Sequence, residues 1–204
     1  MLEIKSFCFG PFATNTFVVR DEQNNVLLID PACSCQYEQQ QLYAYVRSLN
    51  TPPSSFHIIA THGHLDHLWG ATWAAEQWHT PVLMHEADIP LAEAMQDQYD
   101  LFGVRMKAEP FPIDKLQPSV FHFQLLHTPG HTLGSICLYW QEDKVLLSGD
   151  TLFRMGYGRT DLPGGNMGQL IDSLERLFKL PADTKVYPGH GDFTTIGAEN
   201  RSVY

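Results

Sequence analysis

The seven residues from Thr61 to His67 read T-H-G-H-L-D-H, three histidines and an aspartate in one short run. F-H-I-I-A (56–60) precedes them directly and has the length and apolar character of a buried strand. L-W-G-A-T-W-A-A-E-Q-W (68–78) follows and predicts a helix. The run therefore occupies the loop after a strand, where layered α/β folds carry their chemistry. Four groups of this kind are costly to bury unless something offsets their desolvation. Neutral imidazole and carboxylate are ligands that zinc, iron and manganese accept, so a metal site is the expected compensation.

The same design recurs in the second half of the chain. In L-H-T-P-G-H (126–131), L-S-G-D (147–150) and V-Y-P-G-H (186–190), an apolar strand ends in a candidate ligand preceded by glycine. Gly130, Gly149 and Gly189 are expected where the backbone turns sharply to present His131, Asp150 and His190. Two metal ions need about seven ligands. His62, His64, Asp66, His67, His131, Asp150 and His190 make up that number, with the two oxygens of Asp150 suited to bridging. His127 fits a structural role beside Pro129, and His57, His79, His85 and His122 lie near apolar positions as ordinary histidines.

Around these loops the chain alternates strands and helices. Short β-type runs are expected at Ile4 to Phe9, Thr16 to Val19 and Val26 to Ile29, and a helix at about Gln36 to Leu49, closed by Pro52 and Pro53. P-V-L-M-H (81–85) reads as another strand. The stretch from about Glu86 to Ser119 is irregular or helical and is expected to fold over the site as a partial cover. After Val120 the β pattern returns in F-H-F-Q-L-L-H, S-I-C-L-Y-W and K-V-L-L-S-G-D. A helix over Gly168 to Leu180 carries Leu170, Ile171, Leu174, Leu177 and Phe178 as its packing stripe, and K-V-Y-P forms a last strand. Two packed sheets with helices outside, in a single domain over 1–204, are the architecture this order implies.

Composition narrows the function. With 13 Lys and Arg against 23 Asp and Glu the net charge is -10, which disfavours nucleic acid. No apolar run approaches the roughly 18 residues of a membrane span. The first residues lack the basic and apolar regions of a signal peptide, so a cytoplasmic location is expected. Cys8, Cys33, Cys35 and Cys137 are too few and scattered for a disulfide framework, and reduced thiols are expected.

T-H-G-H-L-D-H, T-P-G-H-T, G-D-T-L-F and P-G-H-G, in this order, resemble the motifs of the metallo-β-lactamase superfamily, and the likeness runs from T-N-T-F-V-V (14–19) almost to the end of the chain. The resemblance implies an αββα sandwich, of α/β class, with two mixed β-sheets flanked by helices and the metals in a cleft at one edge. By position, His62, His64 and His131 would hold one ion and Asp66, His67 and His190 a second, with Asp150 between them. The best-known β-lactamases place a cysteine where this chain has Asp150, which argues against antibiotic hydrolysis. G-D-T-L-F-R-M-G-Y-G-R-T-D-L-P-G-G-N (149–166) is most similar to single-domain glyoxalase II-like hydrolases. These imply two divalent ions, zinc first with iron or manganese as alternatives, and a small-molecule thioester as substrate. Asp66 would orient the nucleophile as well as bind metal. Arg159 could pair with a substrate carboxylate or shape its own loop, and Tyr157 could line the pocket. Two-domain glyoxalase II enzymes carry a C-terminal helical domain that helps hold the glutathione moiety, and 14 residues follow His190 here, so the resemblance leaves the thiol carrier open. G-R-T-D (158–161) also resembles persulfide dioxygenases, which imply a single iron at His62, His131 and Asp150.

Overall fold

The computed structural model describes residues 2–52, 55–117 and 122–200. Pro53 and residues 118–121, which carry part of the helix stop, the covering segment and a strand start expected from sequence, lie outside them. The chain divides into two compact units, Met1–Met84 with Ile89–Lys115, and His85–Asp88 with Leu116–Tyr204.

The first unit is built on a six-stranded mixed sheet in the order β1-β2-β3-β4-β5-β6. β1 (Glu3–Phe9), β2 (Thr14–Arg20) and β3 (Val26–Ile29) pair antiparallel. β4 (Phe56–Ile59), β5 (Val82–Met84) and β6 (Ile113–Lys115) then add in parallel. V-L-L-I of β3 is buried at every position, as a strand covered on both faces must be. Register explains which residues share a face: Val26 lies opposite Phe56, Leu28 opposite Ile58, and Ile58 opposite Val82. Onto that face pack Leu42 and Val46 of α1 (Gln36–Ser48) and Ala71 and Ala74 of α3 (Ala71–Trp78). The helix expected behind the histidine run is two pieces, because α2 (Leu65–Leu68) stops before Gly70, whose N–H turns to Pro31 O at 2.7 Å.

The stretch after β5 is more regular than its composition suggests. It forms a 3-10 turn (Glu86–Asp88), then α4 (Ile89–Glu93) and α5 (Met95–Leu101), and it ends in β6. β6 escapes a sequence search because I-D-K is short and largely polar, which an edge strand tolerates.

The second unit holds a five-stranded sheet in the order β13-β12-β9-β8-β7. Its strands are β7 (Gln124–His127), β8 (Ile136–Trp140), β9 (Val145–Gly149), β12 (Lys185–Pro188) and β13 (Thr194–Thr195); β9 and β12 pair parallel, and the β7–β8, β8–β9 and β12–β13 pairs are antiparallel. β10 (Leu152–Phe153) and β11 (Gly156–Tyr157) make a separate ribbon. α6 (Met167–Leu177) is capped by Asn166, whose side chain accepts from Gln169 N–H, and α7 (Ile196–Glu199) is capped likewise by Thr195. Leu170, Leu174 and Leu177 pack against Cys137, Tyr139, Leu146 and Val186 of the sheet. Ile171, expected on that stripe, is 47% exposed. One step of about 100° from Leu170 carries it off the packed face.

All four cysteines are free, with Cys8 and Cys35 exposed and Cys33 and Cys137 buried. Burial pushes the Cys33 thiol up to about 12, with the Glu38 carboxylate adding to the effect. Burial likewise lifts Cys137 to about 11, against hydrogen bonds from Thr128 and Thr151. At pH 8 a thiol-specific reagent should therefore titrate two thiols per native chain and four after denaturation; three or more fast native thiols would contradict the burial. Because both folded values lie above the ordinary 9.0, the stability they contribute is present below pH 9 and is lost as pH rises. The loss is about 1.4 kcal/mol per pH unit per thiol, read from denaturant midpoints between pH 8 and 10.5.

Candidate metal centre

β3 and β4 end side by side, Asp30 N–H donating to Ile59 O at 2.9 Å, so Asp30 and the histidine loop leave the sheet at the same edge. Asp30 is 1% exposed, and its carboxylate organises the start of that loop. Oδ1 accepts from Thr61 N–H at 2.7 Å, and Oδ2 accepts from the Thr61 hydroxyl at 2.8 Å and from His67 Nδ1 at 2.9 Å. A carboxylate accepts only, so the His67 proton is on Nδ1 and its Nε2 keeps a lone pair in the neutral ring. The single Thr61 proton is given to Asp30. Toward His62 Nδ1, 3.1 Å away, that hydroxyl can only accept, which puts the His62 proton on Nδ1 as well. One buried carboxylate thus selects the metal-binding tautomer of two histidines.

Two more side chains hold the loop. Gln98 of α5 accepts from Leu65 N–H at 3.0 Å and donates to Gly63 O at 3.0 Å and Leu91 O at 2.8 Å. The Thr14 hydroxyl donates to Asp66 Oδ2 at 3.0 Å. The result is a tight group: the ligand atom of His62 lies within 4.8 Å of those of His64 and His67, and His67 Nε2 is 3.5 Å from Asp66 Oδ2. His62, His64 and His67 are buried.

In the second unit His131, Asp150 and His190 converge in the same way. Asp150 Oδ2 is 3.5 Å from His131 Nε2 and 3.5 Å from His190 Nε2. Two ligands each about 2.1 Å from one tetrahedral cation stand about 3.4 Å apart. Charge-assisted hydrogen bonds are shorter, at about 2.7–2.9 Å. The three 3.5 Å separations therefore match ligands around an ion better than ion pairs, and a nitrogen and oxygen donor set suits zinc, iron or manganese. His131 Nδ1 donates to Arg159 O at 2.7 Å, again leaving Nε2 as the ligand atom.

Local turns explain how the strand ends reach these positions. Gly130 has φ +138°, and a side chain there would run into the backbone of Leu170 at 2.3 Å. Gly149 also has positive φ, at +47°. Gly189 does not share this conformation; its N–H pairs instead with Gly149 O at 2.9 Å, extending the β9–β12 alignment to His190.

The other expected site residues divide. Arg159 donates twice to Asp161, at 2.7 and 2.6 Å, and this guanidinium holds the Asp161 carboxyl down at about 2. The pair stays charged across the physiological range. Arg159 serves His131 through its main-chain oxygen, while Arg154 pairs with Asp192 at 2.7 Å. Tyr157 on β11 is 43% exposed. His127 is structural as expected, its Nε2 meeting Leu133 O at 2.9 Å. Asp30 and Thr61 were missed from sequence, although V-L-L-I-D ends an apolar strand in a carboxylate as L-L-S-G-D does. The absent glycine hid it.

Residues 9–190, a span that includes all seven candidate ligands, match the Metallo-beta-lactamase superfamily. The hydroxyacylglutathione hydrolase GloC of Haemophilus influenzae is 33% identical, over 94% of this chain and 92% of that protein. Among solved structures, TTHA1623 in a di-iron-bound form superposes with a TM-score of 0.86 at 36% identity, covering 97% of this chain and 98% of the other. ETHE1 from Myxococcus xanthus superposes at 0.71 with 29% identity, covering 98% and 82%. Mixed sheets with flanking helices, and strand-end histidines and aspartates throughout the matched span, agree with these likenesses: the chain belongs to the metallo-beta-lactamase superfamily.

Proposed function

We propose that this protein is a metal-dependent hydrolase of small-molecule thioesters, carrying two divalent cations. In this reading His62, His64 and His131 hold one cation, Asp66, His67 and His190 hold the other, and Asp150 is shared. The observation that carries it is Asp150 Oδ2 standing 3.5 Å from both His131 Nε2 and His190 Nε2, the separation of ligands around an ion. When bound, such cations supply Lewis acidity at an acyl oxygen and bring the pKa of a water toward about 7. The chain does the rest. Asp30 keeps the protons of His62 and His67 on Nδ1, and Thr14 steadies the Asp66 carboxylate through its hydroxyl. A thiolate is a good leaving group, so the site needs no strong general acid.

The thioester reading is supported by the likeness to GloC, and iron stays among the candidate metals because of the di-iron form of TTHA1623. Persulfide oxidation at a single iron is the second reading. It would use His62, His131 and Asp150 and would give His67 and Asp66, which Asp30 and Thr14 hold in place, no part in binding a metal.

Elemental analysis of protein purified without added metal or chelator tests the proposal, together with thiol release from hydroxyacyl thioesters of glutathione and of a smaller thiol. Close to two ions per chain and thiol release that chelation abolishes are expected. One iron per chain with oxygen uptake on a low-molecular-weight persulfide would overturn the proposal, and so would cleavage of a β-lactam without thioester turnover.

A further inference from the structure

Asp88 is a buried carboxylate of the second unit that is not among the proposed ligands and to which the proposed reaction assigns no role. Asp88, 1% exposed, sits in the 3-10 turn that the chain contributes to this unit between β5 and α4. Its Oδ2 accepts from the Thr132 hydroxyl at 2.7 Å and its Oδ1 from Gly134 N–H at 2.6 Å. Thr132 immediately follows His131. The Thr132 N–H donates to Ser135 Oγ at 3.1 Å, and the two hydroxyls lie 2.7 Å apart, so the loop closes on itself around the carboxylate. The approach is close: a side chain at Gly134 would meet Asp88 Cβ, Cγ and N at 2.7 Å. The same turn grips the loop a second time. His85 accepts Ala87 N–H at 3.2 Å and stacks on His127 with ring centres 4.1 Å apart and planes within 7°. His127 in turn reaches Leu133 O at 2.9 Å.

We infer that Asp88 is a positioning residue for the histidine ligand His131, fixing the main chain after it while Arg159 O fixes its ring. The inference rests on the metal reading of the site. Burying a carboxylate on neutral donors is costly, and such an arrangement is retained where the geometry it imposes matters. Asp88 is not among the proposed ligands. Its effect reaches the site only through the direction in which Nε2 of His131 points.

Cobalt(II) binding to chelator-stripped full-length chain, followed by its visible absorption and by chelator competition, is the test. Asp88→Ala is expected to weaken binding of one of the two ions by about 10–100-fold and to change the absorption band, with the other ion unaffected. Asp88→Asn is expected to stay within about threefold of the parent, because its carbonyl can take Gly134 N–H while its amide donates to Thr132 Oγ1, which then donates to Ser135. If Asp88→Ala does not fold, Thr132→Val decides, with a loss of about threefold to tenfold expected from one missing donor. Parent-like cobalt affinity and spectrum in a folded Asp88→Ala or Thr132→Val chain, even with a lower Tm, would overturn the inference and leave the metal reading intact. A parent chain that binds no cobalt overturns both.

Discussion

Under the proposed function, Asp66→Ala is expected to lower kcat/KM for thioester cleavage on the order of 10³-fold and to leave one ion per chain where two are proposed for the parent. Asp66 is the carboxylate of the first cluster, 3.5 Å from His67 Nε2, and its side chain is 17% exposed on a helix of a single turn. Removing it would delete a proposed oxygen ligand and the acceptor of the Thr14 hydroxyl, so stability is expected to fall by only about 1–2 kcal/mol. This combination separates it from a folding defect. The measurement is steady-state thiol release alongside metal content of the same preparation. A variant that keeps two ions and near-parent turnover would remove Asp66 from the site, and one that keeps persulfide oxidation with a single iron would favour the other chemistry.

Asp30→Ala destabilises the fold by about 3–5 kcal/mol, because it strands three buried donors at once: Thr61 N–H, the Thr61 hydroxyl and His67 Nδ1–H. Chemical denaturation reads this directly. The isosteric Asp30→Asn is the sharper experiment. With its carbonyl oxygen in the place of Oδ1, the new amide faces Thr61 Oγ1 and His67 Nδ1; turned over, it faces the Thr61 N–H. The first arrangement asks His67 to accept at Nδ1, moving its proton to Nε2 and removing a ligand lone pair; the second buries two opposed donors. A folded chain with at least about tenfold weaker metal binding is expected. Parent-like affinity in Asp30→Asn would refute the tautomer argument while leaving the hydrogen bonds themselves unquestioned.

Sequence alone reveals the features that depend on neighbours along the chain. F-H-I-I-A followed by T-H-G-H-L-D-H announces a strand and a ligand loop because the apolar run and the polar cluster are adjacent. Helix α6 is legible for the same reason, apart from Ile171, whose apolarity does not oblige it to face the sheet. The supporting residues are different. Asp30 meets Thr61 across 31 positions and Asp88 meets Thr132 across 44, and each is an isolated acidic residue until the chain folds. Neither has a local pattern to betray it. β6 was missed because its partner strand, not its own three residues, supplies the reason to be extended. Glycine before a ligand was also an uneven guide: it marks strained turns at Gly130 and Gly149, and at Gly189 it marks continued pairing.

The Asp30 network bears on how the proposed cations would be loaded. The bonds by which Asp30 and Thr61 orient His62 and His67 are made between protein atoms, so in the proposed reading this orientation would not have to be imposed by an ion. A zinc finger, in contrast, gathers its ligands only as it folds around the metal. In the proposed reading folding and loading would be separable events, and the folded chain would be expected to exchange one ion for another without unravelling. Which element such a site carried would then depend on the supply in its surroundings and the general order of affinities among divalent ions, more than on any instruction written into the seven proposed ligands.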